Sequence, residues 1–205
     1  METVDVGPEV ARLRCQFADR ITTLDEPAWT SASWCEGWQV RDVLAHLVQN
    51  AERTYASLTV DLLRGAFRPD ASMSKAAKRL RDVPVPALAD RLRAAADRRF
   101  HLPGSPDAMG LVDILVHSAD AFRPLDVDVA APPPDAVAAL GALLKTGKVV
   151  VHATPQQGRR LVATDIDWSD GSGPEVTGAA LDLLCFVANR RQVFPRLEGP
   201  GLAGL

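Results

Sequence analysis

One segment restricts the fold of this chain more than any other, because most of its surface is apolar and its ionisable residues fall in a single strip. If residues 108–122 form a helix, with about 100° of rotation per residue, apolar side chains cover well more than half of its circumference. Those side chains are Leu111, Ile114, Leu115, Val116, Ala119 and Phe122. The remaining polar strip holds Asp113, His117 and Asp120. Such a helix must be buried on most sides, so other elements have to surround it.

The polar strip suggests a metal site, although it also allows a simpler interpretation. Asp113 and His117 are four residues apart, so their side chains project from neighbouring turns of one helix face. Burying a carboxylate is costly unless it is paired, protonated or bound to a metal ion. Helix geometry alone therefore permits either an ion pair between these two residues or a pair of metal ligands.

His46 is the third candidate ligand. It lies on a predicted helix over 39–64, beside an apolar stripe that indicates the buried face. Helix bundles build metal sites from imidazole and carboxylate groups on facing helices. Two imidazoles and one carboxylate leave a catalytic zinc ion open to a further ligand, and similar sites hold nickel or iron. A hydrogen-bonded structural histidine is the alternative role for His46.

Charge and cysteine content exclude several classes of function. The formal net charge of −3 gives no electrostatic case for binding nucleic acid or an anionic membrane. No apolar run approaches the roughly 20 residues needed to span a bilayer, and the first residues lack the pattern of a signal peptide. The cysteines Cys15, Cys35 and Cys185 are odd in number and far apart, which predicts a reducing compartment, the cytoplasm.

We interpret Cys35 as a small packing residue in the loop before the second helix.

Apolar periodicity predicts an α+β protein with two domains. Helices are expected over 10–24, 39–64, 87–100 and 108–122, with a short basic helix over 75–80. The four longer helices predict a bundle, which forms a metal-binding domain over 1–127. After a stiff proline run at 132–134, a helix over 135–144 and a hairpin of strands 148–154 and 160–166 are expected. A loop over 167–174, a short strand over 175–177 and a helix over 178–191 complete a small α+β domain over 128–205.

Two stretches of the sequence resemble a known family. The segment from Trp34 to Leu47 resembles the signature that enters the second helix of mycothiol-dependent maleylpyruvate isomerase-like proteins, which belong to the DinB-like metalloprotein superfamily. The segment over 113–120 resembles the acid-x-x-x-His-x-x-Asp helix of that family. This resemblance implies a DinB-like four-helix bundle in which His46, Asp113 and His117 are the metal ligands.

The resemblance continues into the C-terminal part, with some departures. Residues 160–165, 173–178 and 182–184 are similar to the small α+β, sterol-carrier-like domain that follows the bundle in these proteins. The family usually has glutamate where Asp113 stands and glycine where Asn189 stands. Because aspartate is one methylene shorter, the resemblance also leaves room for Asp120 or a water molecule as a ligand.

The resemblance implies a metal-dependent reaction with a low-molecular-weight thiol such as mycothiol as cosubstrate. A cation lowers the pKa of a thiol, and the thiolate then adds to a small electrophilic substrate, which gives isomerisation or S-transfer. Arg190 is the expected catalytic residue, because a guanidinium group can bind a substrate carboxylate. It could equally be a surface arginine at a helix end.

Other functions and assemblies remain open from the sequence. A non-catalytic DinB-like protein that binds a metal or a ligand is the main alternative, and an interaction domain with a decayed site is a third. Zinc is the expected metal, with nickel or iron as alternatives. Both a monomer and a homodimer are compatible with the sequence.

Overall fold

The structure is a computed structural model that describes residues 5–55, 80, 82–100, 104–150 and 155–205. Its described helices are α1 Gly7–Thr22, α2 Glu26–Thr30, α3 Val40–Ala51, α4 Val85–Ala94, α5 Met109–Phe122, α6 Pro133–Val150 and α7 Ala180–Val187. The strands are β1 Arg160–Ala163, β2 Ser169–Gly171 and β3 Glu175–Gly178. A helix-rich N-terminal region followed by a small three-stranded sheet confirms the predicted α+β class. None of the described helices is both long and apolar enough to cross a membrane.

The chain divides into two compact units. The helical unit consists of Gly7–Leu102 and Asp120–Val129, and the mixed unit consists of Met1–Val6, Pro103–Ala119 and Ala130–Leu205. Helix α5 therefore contributes 109–119 to the mixed unit and 120–122 to the helical unit. The predicted domain boundary between 127 and 128 stays a prediction.

The core of the helical unit forms where α4 packs against both α1 and α3. Helix α1 buries Val10, Leu13, Phe17 and Ile21, whose spacing of three or four residues places them on one face. Phe17 also packs against Phe122 at the end of α5, with the ring centroids 4.8 Å apart. The amphipathic pattern of the sequence thus predicts this core correctly.

Helix α3 ends earlier than the sequence suggested. It stops at Ala51, whereas the predicted helix over 39–64 continued through Glu52 and beyond. The three residues that follow Ala51, which are Glu52, Arg53 and Thr54, are polar and interrupt the apolar stripe. Glu52 instead pairs with Arg91 of α4 through two bonds of 3.0 and 2.6 Å, and its side-chain hydrogen bond raises the pKa of Arg91. Residues 56–64, and all but the last residue of the predicted helix over 75–80, lie outside the described residues.

The predicted strand over 148–154 is wrong for its first residues, because α6 continues as a helix to Val150. Residues 151–154 lie outside the described residues. β-branched residues favour strands only weakly, and here they extend a helix that already buries Leu140 and Leu143. This helix starts at Pro133, since proline is well tolerated in a first helical turn.

The sheet has the strand order β2-β1-β3. Strand β1 pairs antiparallel with β2 and parallel with β3, with Leu161 opposite Val176. The predicted third strand is confirmed as β3. The predicted loop over 167–174 is wrong in part, because β2 lies within it; all three residues of β2 are exposed, so no apolar alternation marks this strand.

Helix α7 provides the apolar cover of the sheet. Every residue of this helix is buried, and it contacts α6, β1 and β3. On the sheet, Leu161 and Val176 are 1% and 0% exposed. Burial on all sides fits the almost entirely apolar sequence of α7, and its buried aspartate, Asp182, pairs with Arg196 at 3.2 Å.

Candidate metal centre

Backbone hydrogen bonds within the loop that leads into α3 hold this loop in a tight turn. The N–H of Ser33 donates to the carbonyl of Trp38 at 2.9 Å, and the N–H of Trp38 donates to the carbonyl of Cys35 at 3.0 Å. Gly37 has a φ of 73°, a left-handed conformation that glycine adopts without strain. This part of the Trp34–Leu47 signature therefore encodes a tight turn that sets where α3 begins.

Asp42 caps the first turn of α3. Its Oδ2 accepts a hydrogen bond of 3.0 Å from the backbone N–H of Gln39, and the residue is only 3% exposed. A carboxylate at this position also interacts favourably with the positive end of the helix dipole. The aspartate of the signature thus has a structural role four residues before His46.

Substitution of Asp42 by alanine should therefore destabilise the chain by about 1 kcal/mol, the usual cost of losing a helix cap. Urea denaturation followed by circular dichroism would measure this change. The control is Asp167→Ala, which removes an exposed carboxylate near the sheet and should leave the unfolding midpoint unchanged. Equal midpoints for the two variants would argue against the capping role.

His46 is buried on α3 and is held from two directions. It is 3% exposed, and the ring of Trp38 packs edge-on against it with centroids 5.3 Å apart. The side-chain nitrogen of Asn50, one turn later, lies 3.0 Å from His46 Nε2. The imidazole ring is thereby fixed in orientation before any ligand arrives.

Asp113 and His117 lie together on α5, as the sequence predicts. His117 Nε2 and Asp113 Oδ1 are 3.8 Å apart, and the side chains are 15% and 21% exposed respectively. Two ligands of one zinc ion, each about 2.0–2.2 Å from the metal, can be separated by at most about 4.3 Å. The spacing thus fits two ligands of one ion, and it equally fits an ion pair when His117 is protonated.

Asp120, one turn after His117, is fully buried and contacts the loop before α3. The thiol of Cys35 donates a 3.0 Å hydrogen bond to Asp120 Oδ2, and the N–H of Trp34 donates to the Asp120 carbonyl at 2.9 Å. Interpreting Cys35 as a packing residue therefore missed a polar contact. A signal existed in the sequence, since Cys35 lies within the signature and Asp120 within the polar strip.

The described residues contain two groups that could hold a metal ion. One consists of the three ligands predicted from the sequence, His46, Asp113 and His117. The other consists of Cys35, His117 and Asp120. His117 is common to both groups.

Arg190 takes its position from the end of α7. Asn189 has a left-handed φ of 61°, and the N–H of Arg190 donates to the carbonyl of Cys185 at 2.9 Å, the pattern of a Schellman motif. The half-buried guanidinium also donates to the Ala188 carbonyl at 3.1 Å. The left-handed backbone explains why glycine suits position 189, and asparagine also tolerates it. A role for Arg190 in binding substrate stays a prediction.

Comparisons with known proteins give the following similarities. A family model for the mycothiol maleylpyruvate isomerase N-terminal domain matches residues 10–122. A crystal structure of a histidine-to-alanine mutant of the mycothiol-dependent maleylpyruvate isomerase shares 16% sequence identity with this chain. The alignment covers 94% of this chain and 90% of the chain in that structure, and the TM-score is 0.48. A crystal structure of the same enzyme without that substitution is 15% identical at the same coverage, 94% and 90%, with a TM-score of 0.47. No curated protein matches the chain.

Proposed function

Because the chain belongs to the mycothiol maleylpyruvate isomerase N-terminal domain family, we propose that it is a metal-dependent enzyme that uses a mycothiol-type thiol. The match over residues 10–122 confirms the family that the two signatures indicated. The proposed reaction is isomerisation or S-transfer on a small electrophilic substrate. We place it in the cytoplasm, in keeping with three cysteines that form no disulfide bond with one another.

The proposed ligands are His46, Asp113 and His117, with zinc as the first choice of metal and nickel or iron as alternatives. The observation that carries this assignment is the 3.8 Å spacing between Asp113 Oδ1 and His117 Nε2 on a mostly apolar helix. His46 adds a buried imidazole whose orientation is already fixed. This donor set leaves one position of a tetrahedral zinc ion for a further ligand.

The chemistry that the metal would supply is the activation of a thiol, since a bound cation lowers the pKa of a coordinated thiol until the thiolate forms at neutral pH. Asp113 and His117 are partly exposed, which leaves an approach for a small molecule. Arg190 is the proposed partner of a substrate carboxylate. The Schellman motif at the end of α7 fixes the backbone of Arg190, and therefore the position from which its side chain extends.

Asn50 is the proposed positioning residue for His46. It lies against Nε2, so we assign the other ring nitrogen, Nδ1, to the metal. A metal-bound histidine usually donates its second N–H to a carbonyl or carboxylate oxygen. The Asn50 side chain can provide that oxygen when its amide group turns over.

The variant Asn50→Ala should therefore bind zinc roughly 10- to 100-fold more weakly, the usual effect of removing the partner of a metal-bound histidine. Asn50→Asp keeps an acceptor oxygen and should retain most of the affinity. Competition titration against a chromophoric zinc chelator would measure both variants. Unchanged or tighter binding in Asn50→Ala would show that Nε2, rather than Nδ1, faces the metal.

A thiol assay tests the proposed reaction. Zinc-loaded protein is incubated with mycothiol and a panel of small electrophiles that includes maleylpyruvate, and both substrate and free thiol are followed. An isomerase converts substrate without net loss of thiol, whereas a transferase consumes one thiol for each product molecule. Stoichiometric metal without conversion of any electrophile would instead favour a non-catalytic binding protein.

A further inference from the structure

We propose that Cys35, His117 and Asp120 form a second, thiol-containing ligand set that takes soft divalent ions such as cadmium. This set competes with His46 and Asp113 for the His117 side chain that both need. The inference goes beyond the proposed function, because neither Cys35 nor Asp120 belongs to the proposed zinc site.

The geometry of the second set follows from one contact and one helix. Cys35 Sγ lies 3.0 Å from Asp120 Oδ2, so a thiol and a carboxylate already meet. His117 precedes Asp120 by three residues on α5, which places both side chains on the same face of that helix. Each of the three residues offers one ligand atom, and together they could hold a metal ion.

The chemistry of this set differs from that of the proposed zinc site. Its donors are one sulfur, one nitrogen and one oxygen, whereas the zinc site has two nitrogens and one oxygen. Soft metal ions prefer thiolate ligands, so cadmium should choose the set that contains Cys35. Binding forms a metal–sulfur bond and breaks the S–H bond, and the thiol proton leaves to solvent.

The burial of Asp120 favours the replacement of the Cys35 thiol proton by a metal ion. Its carboxylate is 0% exposed and accepts the Cys35 thiol, so a cation there would compensate a charge that burial otherwise disfavours. Cys35 is only half-buried, which leaves it accessible to an ion. Because both sets need His117, occupation of one lowers occupation of the other.

Cadmium titration followed by the ultraviolet charge-transfer band of a cadmium thiolate tests the proposal. The band should develop to one cadmium per chain in the wild type and in the double variant Cys15→Ser, Cys185→Ser. It should persist in His46→Ala, which keeps the second set intact, and disappear in Cys35→Ser. Asp120→Asn should weaken cadmium binding by roughly tenfold or more.

Two results would overturn the proposal: a wild type without the thiolate band, or a band that survives in Cys35→Ser. Circular dichroism of Cys35→Ser confirms that the substitution keeps the fold. Zinc binding separates this proposal from the proposed function, because zinc should remain at one per chain in Cys35→Ser. Loss of the band in Cys35→Ser with zinc binding retained is the expected result and supports both sites. A wild type that binds cadmium through Cys35 but never binds zinc counts against the zinc site only.

Discussion

Replacement of His46 by alanine is expected to lower the zinc affinity of the chain by more than about 100-fold, because even removing the partner of a metal-bound histidine costs 10- to 100-fold. The thiol-dependent activity should fall to background in the same variant. The reason is structural, since His46 is a buried imidazole held in place by Trp38 and Asn50. Equilibrium dialysis against buffered zinc, followed by elemental analysis, measures the loss.

The matched control for this variant is Val48→Ala. Val48 lies on the same helix and is 0% exposed, so its truncation also leaves a small cavity in α3. It offers no ligand atom, and zinc binding should survive at one ion per chain. If both variants lost zinc equally, general damage to α3 would explain the result, and retention of full zinc affinity in His46→Ala would remove this residue from the site.

A series at Asp113 has the second large effect. Asp113→Asn removes the charge at nearly constant size, and we expect zinc binding to weaken by at least roughly 10- to 100-fold. Asp113→Glu should keep one zinc ion per chain. Asp113 Oδ1 lies 3.8 Å from His117 Nε2, and the longer carboxylate can still bind the same ion as His117. Isothermal titration with zinc distinguishes the three proteins.

The control for the Asp113 series is Asp107→Asn, which removes an exposed carboxylate just before α5 and should leave zinc binding unchanged. One outcome would reverse the interpretation of the natural chain. If the natural chain bound no zinc and Asp113→Glu gained it, the shorter side chain would mark a decayed site. Equal binding in Asp113→Asn and the natural chain would mean that this carboxylate is not a ligand.

The helices that bury one face were predictable from the sequence, and the elements without such a face were not. Helix α5 begins within one residue of its predicted start because its apolar pattern is dense. Strand β2 has only exposed residues, so its position depends on backbone pairing with β1, which no local pattern reveals. The β-branched residues at the end of α6 were misinterpreted because local β-propensity is weaker than the continuation of an established helix.

In the candidate site, too, local contacts were predictable from the sequence and long-range contacts were not. The pairing of Asp113 with His117 follows from helix periodicity, and the structure confirms that the two side chains lie together. The contact between Cys35 and Asp120 joins residues 85 positions apart, so the sequence marks each residue separately but only the tertiary structure shows that they meet. The role of Asn189 was likewise hidden, because a left-handed φ of 61° is a property of the folded backbone.

The most direct test of the central claim is the metal content of the natural chain, purified without any chelator. Elemental analysis should find one divalent ion per chain, most of it zinc, and the ion should stay bound through dialysis in the natural chain but not in His46→Ala. A natural chain that contains no stoichiometric metal, and that takes up none when zinc is supplied, would contradict the account.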